Sequence, residues 1–172
     1  MRKIIIFAYL CLPLFLFGQE HLQFMGHPIT GDMKTFVSIL KTDGFSSSLG
    51  DGWFRNMKTK YMIGDFWMFH NCDIVIRHPK KTKFITSVYI HPHNNFLLLN
   101  DLINALDRKY GLHQNQYSNA DVNSLDYIWN MPEGSICIFA TIVYGQSFDI
   151  IYRDWTEVNM INNSINGVDD NL

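Results

Sequence analysis

The chain has 172 residues, with 14 Lys and Arg against 16 Asp and Glu, for a formal net charge of −2. Hydrophobic residues make up 47% and charged residues 17%, which is enough to bury a core and too apolar for a disordered chain. With no basic excess, the composition offers no electrostatic footprint for nucleic acid.

Arg2 and Lys3 precede a run from Ile4 to Phe17 that carries no charge, and Gly18-Gln19-Glu20 follow. A basic start, a short apolar stretch and a small residue read as a secretory signal peptide over residues 1–18. The run falls short of the roughly 20 residues needed to cross a bilayer, and Pro13 interrupts it. Cys11 sits mid-run behind Ala8-Tyr9-Leu10, without the small residue that lipid attachment wants directly before the cysteine. Cleavage after Gly18 removes two bases and no acid, so the mature chain carries a net charge of −4. It holds no second long apolar run, hence no transmembrane segment, and the expected location is periplasmic, cell-surface or extracellular.

Beyond the signal, Thr30-Gly31-Asp32 opens a helix expected near 31–43, with Thr30 as its cap. Met33, Phe36, Val37 and Leu40 recur at helical spacing, and Gly44-Phe45 supplies a left-handed stop with an apolar contact behind it. The stretch 46–52, Ser-Ser-Ser-Leu-Gly-Asp-Gly, reads as a loop, and Trp53 to Ile63 as a strand turned by Gly64-Asp65. From Phe66 to Ile76 the alternation Phe66, Met68, His70, Cys72, Ile74, Ile76 predicts one long strand with that set facing the core. His78-Pro79-Lys80-Lys81 makes a turn, and Phe84 to His91 gives a further strand.

Pro92 ends that strand. A second helix, capped by Asn95, carries Leu98, Leu99, Leu102, Ile103, Leu106 and Tyr110 and closes on Gly111. Strands near 125–130, 135–144 and 147–153 follow, with turns at Met131-Pro132-Glu133-Gly134 and around Gly145-Gln146. The Asn- and Asp-rich tail, 162–172, reads as frayed.

Strands joined by short turns pair antiparallel, and such a sheet can cover one face with helices and leave the other wet. The expected fold is therefore α+β: a single domain over 19–161, with two helices on one face of an antiparallel sheet of about six strands. Phe36-Val37-x-x-Leu40 matches Leu102-Ile103-x-x-Leu106 in spacing, and both helices close on glycine plus an apolar residue. That cadence points to a duplicated α-β-β-β unit.

Phe24-Met25-Gly26-His27-Pro28-Ile29-Thr30-Gly31 ahead of Phe36-x-x-x-Leu40-x-x-x-Gly44-Phe45 resembles the start of a group of small exported proteins of anaerobic gut bacteria, written F-x-G-I-P-I-x-G before such a helix. Lys109-Tyr110-Gly111 and Ile150-Ile151-Tyr152-Arg153-Asp154 also fit that pattern, whereas His27 departs from the usual Ile. The group is uncharacterised, so the resemblance implies export and architecture and no activity. In topology alone, the helix-plus-sheet duplication is similar to the β-lactamase-inhibitor-protein-like fold, whose members mostly bind other proteins.

Candidate chemistry is sparse. An exported pair of cysteines, Cys72 and Cys137, invites a disulfide. The strand alternation, however, puts Cys72 on the core face and Cys137 on the opposite one, so bridging them needs a bulge or register change. His91 and His93 could supply two metal ligands of a small hydrolase or metal-dependent enzyme, but no second ligand pair stands at a recognisable spacing. There is no Gly-x-Ser-x-Gly elbow, no signature of a catalytic thiol and no phosphate loop. No catalytic residue, metal site or cofactor is therefore assigned.

Aromatic residues form 15% of the chain, and the alternation puts Trp67, Phe69 and Tyr89 on the open face of the sheet, a binding platform for protein or carbohydrate. Lys58, Lys60, Lys80, Lys81 and Lys83 read as edge-strand charges that discourage aggregation. The functional expectation is a non-enzymatic binding or protein-interaction module, with the enzyme built on His91 and His93 as the alternative.

Overall fold

The structure is a computed structural model that describes residues 21–54, 57–79, 84–93, 96–116, 124–141, 147–155 and 159, with the backbone alone over 49–54. The expected signal peptide, the tail from 162, Asn95, Lys80, Lys81, Lys83 and the turn at Gly145-Gln146 lie outside the described residues. A short hairpin comes first, β1 (Gln23–Phe24) and β2 (His27–Pro28), followed by helix α1 (Met33–Thr42). Four strands follow: β3 (Ser46–Phe54), β4 (Met57–Phe66), β5 (Phe69–Pro79) and β6 (Ser87–His91). A 3₁₀ turn, Phe96–Leu98, leads into helix α2 (Leu99–Tyr110), and four more strands follow. These are β7 (Gln114–Gln116), β8 (Ser124–Met131), β9 (Gly134–Thr141) and β10 (Ser147–Asp154).

The eight strands after α1 form one sheet in the order β3-β4-β5-β6-β10-β9-β8-β7, every neighbouring pair antiparallel. The topology is thus a helix and a four-stranded meander, twice over. The two meanders meet at β6 and β10, where Ile90 faces Ile150 and Val88 faces Tyr152. The α+β class holds, but the sheet has eight strands, and a two-stranded hairpin is added. Among the extra strands, β3 corrects the expected loop at 46–52. Serine and glycine weaken local strand preference, yet the free edge of β4 pairs with this backbone: Ser46 with Ile63, Ser47 with Met62, then Asp51 with Lys60 after a register shift.

Helix α1 begins one turn later than its first polar residue. Its N-cap is Asp32, not Thr30, and the Asp32 carboxylate accepts the Thr35 backbone N–H at 3.0 Å. The hydrogen bonds from Thr35 hold that carboxyl below the usual carboxylate range. The C-terminus closes as the Gly44-Phe45 pair predicts. Gly44, at φ +96°, donates its N–H to Lys41 and Phe45 donates to Leu40 at 3.0 Å, so two otherwise orphaned carbonyls are satisfied. Phe45 then turns inward and lies over Gly64 of β4; a Cβ there would fall 2.1 Å from the ring.

Helix α2 is tied to the sheet by one carboxylate. Asp107 accepts from the Trp129 indole N–H (3.0 Å), the His113 backbone N–H (3.0 Å) and the His113 imidazole Nδ1 (2.9 Å). Burial alone would raise the Asp107 carboxyl, but the hydrogen bonds from His113 and Trp129 outweigh it and the pKa is lowered.

The helices cover one face of the sheet. Phe36, Val37 and Leu40 from α1 and Leu102, Ile103 and Leu106 from α2 join Ile74, Ile76, Ile90, Ile138 and Ile150 in one buried cluster. The expected single strand from Phe66 to Ile76 is instead a hairpin. Trp67 and Met68 form its turn, with Trp67 in the left-handed region at φ +54°. Just beyond, Asn71 is also left-handed, at φ +54°, and its N–H is held by the Asp65 carboxylate at 3.0 Å. This bulge sets Phe69–Cys72 against Phe66–Gly64 and shifts the alternation by one residue. Phe69 therefore faces the core together with Cys72, fully buried.

Two measurements check this packing. Gly64→Ala should cost about 1–3 kcal/mol in urea unfolding, because the Phe45 ring has nowhere to go. Adding Phe45→Leu should recover part of that loss, and strict additivity of the two changes would refute the contact. The second concerns acid. A lowered carboxyl contributes stability that is present above its unfolded pKa and is lost as pH falls through the folded one. Wild-type stability should therefore drop below pH about 4, and Asp107→Asn should make that acid limb shallower.

Candidate functional site

On the helix side a cavity of about 500 Å³ lies between the β1–β2 hairpin, α2 and the β4–β5 turn. Its position follows from local rules. Met25 and Gly26 both take positive φ, +53° and +83°, which makes the two-residue turn that right-handed strand twist favours. That turn brings Gln23 and Met25 to one wall. The facing wall is α2, where Leu102, Ala105, Leu106, Lys109 and Tyr110 fall on one helical stripe. Trp67 stands at one end, and Phe66 and Tyr152 line the interior.

Beneath the cavity lies an aromatic cluster. Phe24 stacks on Phe66 at 5.7 Å and meets the edge of Tyr152 at 5.7 Å; Phe66 and Tyr152 meet edge to face at 6.1 Å. Burial, reinforced by the neighbouring Tyr110, pushes the Tyr152 phenol well above its ordinary value, so it stays a neutral hydroxyl. Two carboxylates sit on the rim, each on an imidazole: Asp43 to His27 Nε2 at 2.7 Å and Asp65 to His70 Nδ1 at 2.8 Å. The hydrogen bond from His70, then that from the Asn71 N–H, lowers the Asp65 pKa. The Lys109 ammonium rests 4.8 Å from the Tyr110 ring centre.

A second depression of about 400 Å³ shares Gln23, Lys109 and Tyr110 with the first and reaches Pro132 and Glu133 in the β8–β9 turn. The two together make a groove that runs from one hairpin turn to the other. Met25, Trp67 and the adjoining Met68 are among the most exposed large apolar side chains, and Trp67 is 44% exposed.

The three residues expected on one open face are separated. Trp67 lines the groove on the helix side, and Phe69 is core, where it meets Trp67 at 5.7 Å and Phe148 at 5.6 Å. Tyr89 does lie on the face opposite the helices, half-buried, with the Arg77 guanidinium 3.5 Å above its ring. There it belongs to a row of cross-strand neighbours, Tyr61, Val75, Tyr89, Ile151, Cys137 and Ile128. The open-face aromatic platform of Trp67, Phe69 and Tyr89 is therefore not assembled, because the Asn71 bulge inverts the faces on which it was placed.

His91 and His93 do come together, with ring centres 5.2 Å apart, but each is engaged by its own carboxylate: His91 Nδ1 by Asp149 at 2.7 Å and His93 Nε2 by Asp73 at 3.1 Å. Among the described residues, no group of three or more His, Cys, Asp or Glu is disposed to hold a metal. Cys72 and Cys137 are both free thiols, buried on opposite faces of the sheet. Burial raises the Cys72 thiol to about 11, and it also raises Cys137, against the pull of Arg153, whose guanidinium donates to that sulfur at 3.4 Å. Neither is an activated nucleophile.

Met25, Tyr110, Tyr152, Asp43 and Asp65 were not singled out from the sequence as site residues. The Met25-Gly26 turn was visible in it, but the approach of that turn to α2 is a tertiary fact. The chain matches no protein-family profile and no curated protein. Among solved structures, the crystal structure of a DUF4309 family protein (YjgB) from Bacillus subtilis subsp. subtilis str. 168 is similar at 10% identity, with a TM-score of 0.48. The likeness covers 79% of this chain and 88% of that one.

Proposed function

We propose that the protein is a non-enzymatic binding module that holds an extended, ring-bearing ligand, an oligosaccharide in the first instance, along the helix-side groove. The observation that carries this reading is Trp67, an indole left 44% exposed at the groove end on left-handed backbone. Bulky residues in that conformation carry strain of about 1–3 kcal/mol and cluster at ligand sites. A sugar ring offers an apolar face to stack on Trp67 or Tyr110 and hydroxyls to donate to Asp43, Asp65 or Gln23. The groove runs on past Tyr110 toward Pro132, which suits a chain of rings better than a single small molecule.

Asp65 is not suited to act as a general acid. A general acid at neutral pH needs a raised pKa, and His70 lowers this one. The Phe69 part of the original platform drops out, and Tyr89 serves as the comparison site.

Titration of neutral oligosaccharides against intrinsic fluorescence tests the reading. Trp67→Ala should weaken binding about tenfold, as loss of a stacking contact implies, while Tyr89→Ala leaves it unchanged. Loss of binding in Tyr89→Ala with Trp67→Ala intact would move the ligand to the open face and refute the groove. Export through residues 1–18 is part of the same proposal. Protein recovered from outside the cytoplasm should begin at Gln19, and an intact Met1 on that protein would refute cleavage.

A further inference from the structure

A second concavity, of about 400 Å³, lies beside α1 and is lined by Met33, Lys34, Val37, Ser38 and Lys41 from the helix and Lys58, Thr59 and Lys60 from β4. Its chemistry is unlike that of the first groove. Among the described residues that line it, four are lysines and none is acidic, in a chain whose net charge is −2, and Asp51 stands opposite Lys60 in the β3–β4 register. Lys34, Ser38 and Lys41 fall at i, i+4 and i+7, one stripe of α1. Lys58 and Lys60 are two apart on β4, so they share one face of the sheet. That face is the helix side, since Met62 continues it into the core and Lys60 stands directly beside the buried Ile76.

Edge protection does not explain these lysines. Strand β4 is interior, paired with β3 on one side and β5 on the other, so its backbone is not open to another chain. At the positions where the strand pattern calls for apolar residues under a helix, the sequence places two amines, and the helix opposite supplies two more. Among the described residues, no carboxylate pairs with Lys34, Lys41 or Lys58. Like charges held around one concavity repel, and an anion seated between them removes that repulsion.

We infer that this groove binds a small ligand bearing two or more phosphate groups. Lysine acts on phosphate as a point charge that needs no planar fork, and two facing rows of amines match two separated anionic groups. Met33 and Val37 give the ligand one apolar wall. This site is independent of the ring-binding groove, because no residue lines both.

Calorimetric titration of the full chain with tripolyphosphate at low salt tests it. The wild type should bind saturably, and inorganic phosphate, with a single group, should bind at least about tenfold more weakly. Lys41→Gln with Lys58→Gln should weaken tripolyphosphate about tenfold, the loss of two partly exposed ion pairs. Lys109→Gln, in the other groove, should leave tripolyphosphate affinity unchanged, and circular dichroism of each variant reports folding. Equal affinity for the two anions overturns the multiple-phosphate assignment. Equal loss in Lys109→Gln, or no saturable binding by the folded wild type, overturns the site.

Discussion

The antiparallel pairing of β6 with β10 is the junction on which the shared core and the groove beside α2 depend. Each half of the chain builds its own meander, ending at β6 in one and β10 in the other. Unjoined, each would expose a strand whose helix-side residues, Val88 and Ile90 or Ile150 and Tyr152, are buried in the intact sheet. Joined, they make one continuous helix-side face, so a single core is shared between α1 and α2. The helix-side groove exists only because of that union. Its interior combines Phe66 from the first half with Tyr152 from the second, and Phe24 of the leading hairpin packs on both.

The two halves solve the same packing problem with opposite donors. In the first, the residue after the helix stop turns inward, and Phe45 fills the space over a strand glycine, Gly64. In the second, the corresponding Leu112 is 88% exposed, and a strand residue, Trp129, fills the space under α2 instead. The shared helix cadence aligns Lys41 of α1 with Asp107 of α2. Asp107 seals its helix to β8 by accepting the Trp129 N–H. Lys41 faces two lysines of β4 and cannot close the gap in that way. One architectural position is thus a staple in one half and a groove wall in the other.

How much of this could be read from the sequence depended on whether the deciding interaction was local. The Gly44-Phe45 stop, the amphipathic stripes of both helices and the Gly111 ending are settled within a few residues, and the structure keeps them. The strand at 46–54 was invisible because its pairing is supplied by β4, not by its own serines and glycines. The Phe69 placement failed for a subtler reason. The apolar alternation is real on both sides of Asn71, but one left-handed residue shifts its phase, and Asn tolerates that conformation without announcing it. Trp67 lines the helix-side groove, a surface on which the alternation did not place it, because its position depends on the hairpin turn and not on strand phase. The opposite-face placement of Cys72 and Cys137 survived because the alternations around Ile74–Ile76 and Ile136–Ala140 are each uninterrupted.

The electrostatics share one organising feature, the pairing of aspartate with histidine. His21, His27, His70, His91, His93 and His113 each meet an aspartate, from Asp154 at the floor of the sheet to Asp149 on its open face. An imidazole satisfies a carboxylate as a hydrogen-bond donor whether or not it is charged. Among the described residues, each carboxylate of these pairs is thereby held by an imidazole. On the helix side the charges are divided: Asp43 and Asp65 stay on the rim of the groove beside α2, while Lys34, Lys41 and Lys58 remain across α1 with no carboxylate partner among the described residues. Two concavities on one small sheet thus differ in charge: aspartates paired with imidazoles stand on the rim of one, and lysines line the other.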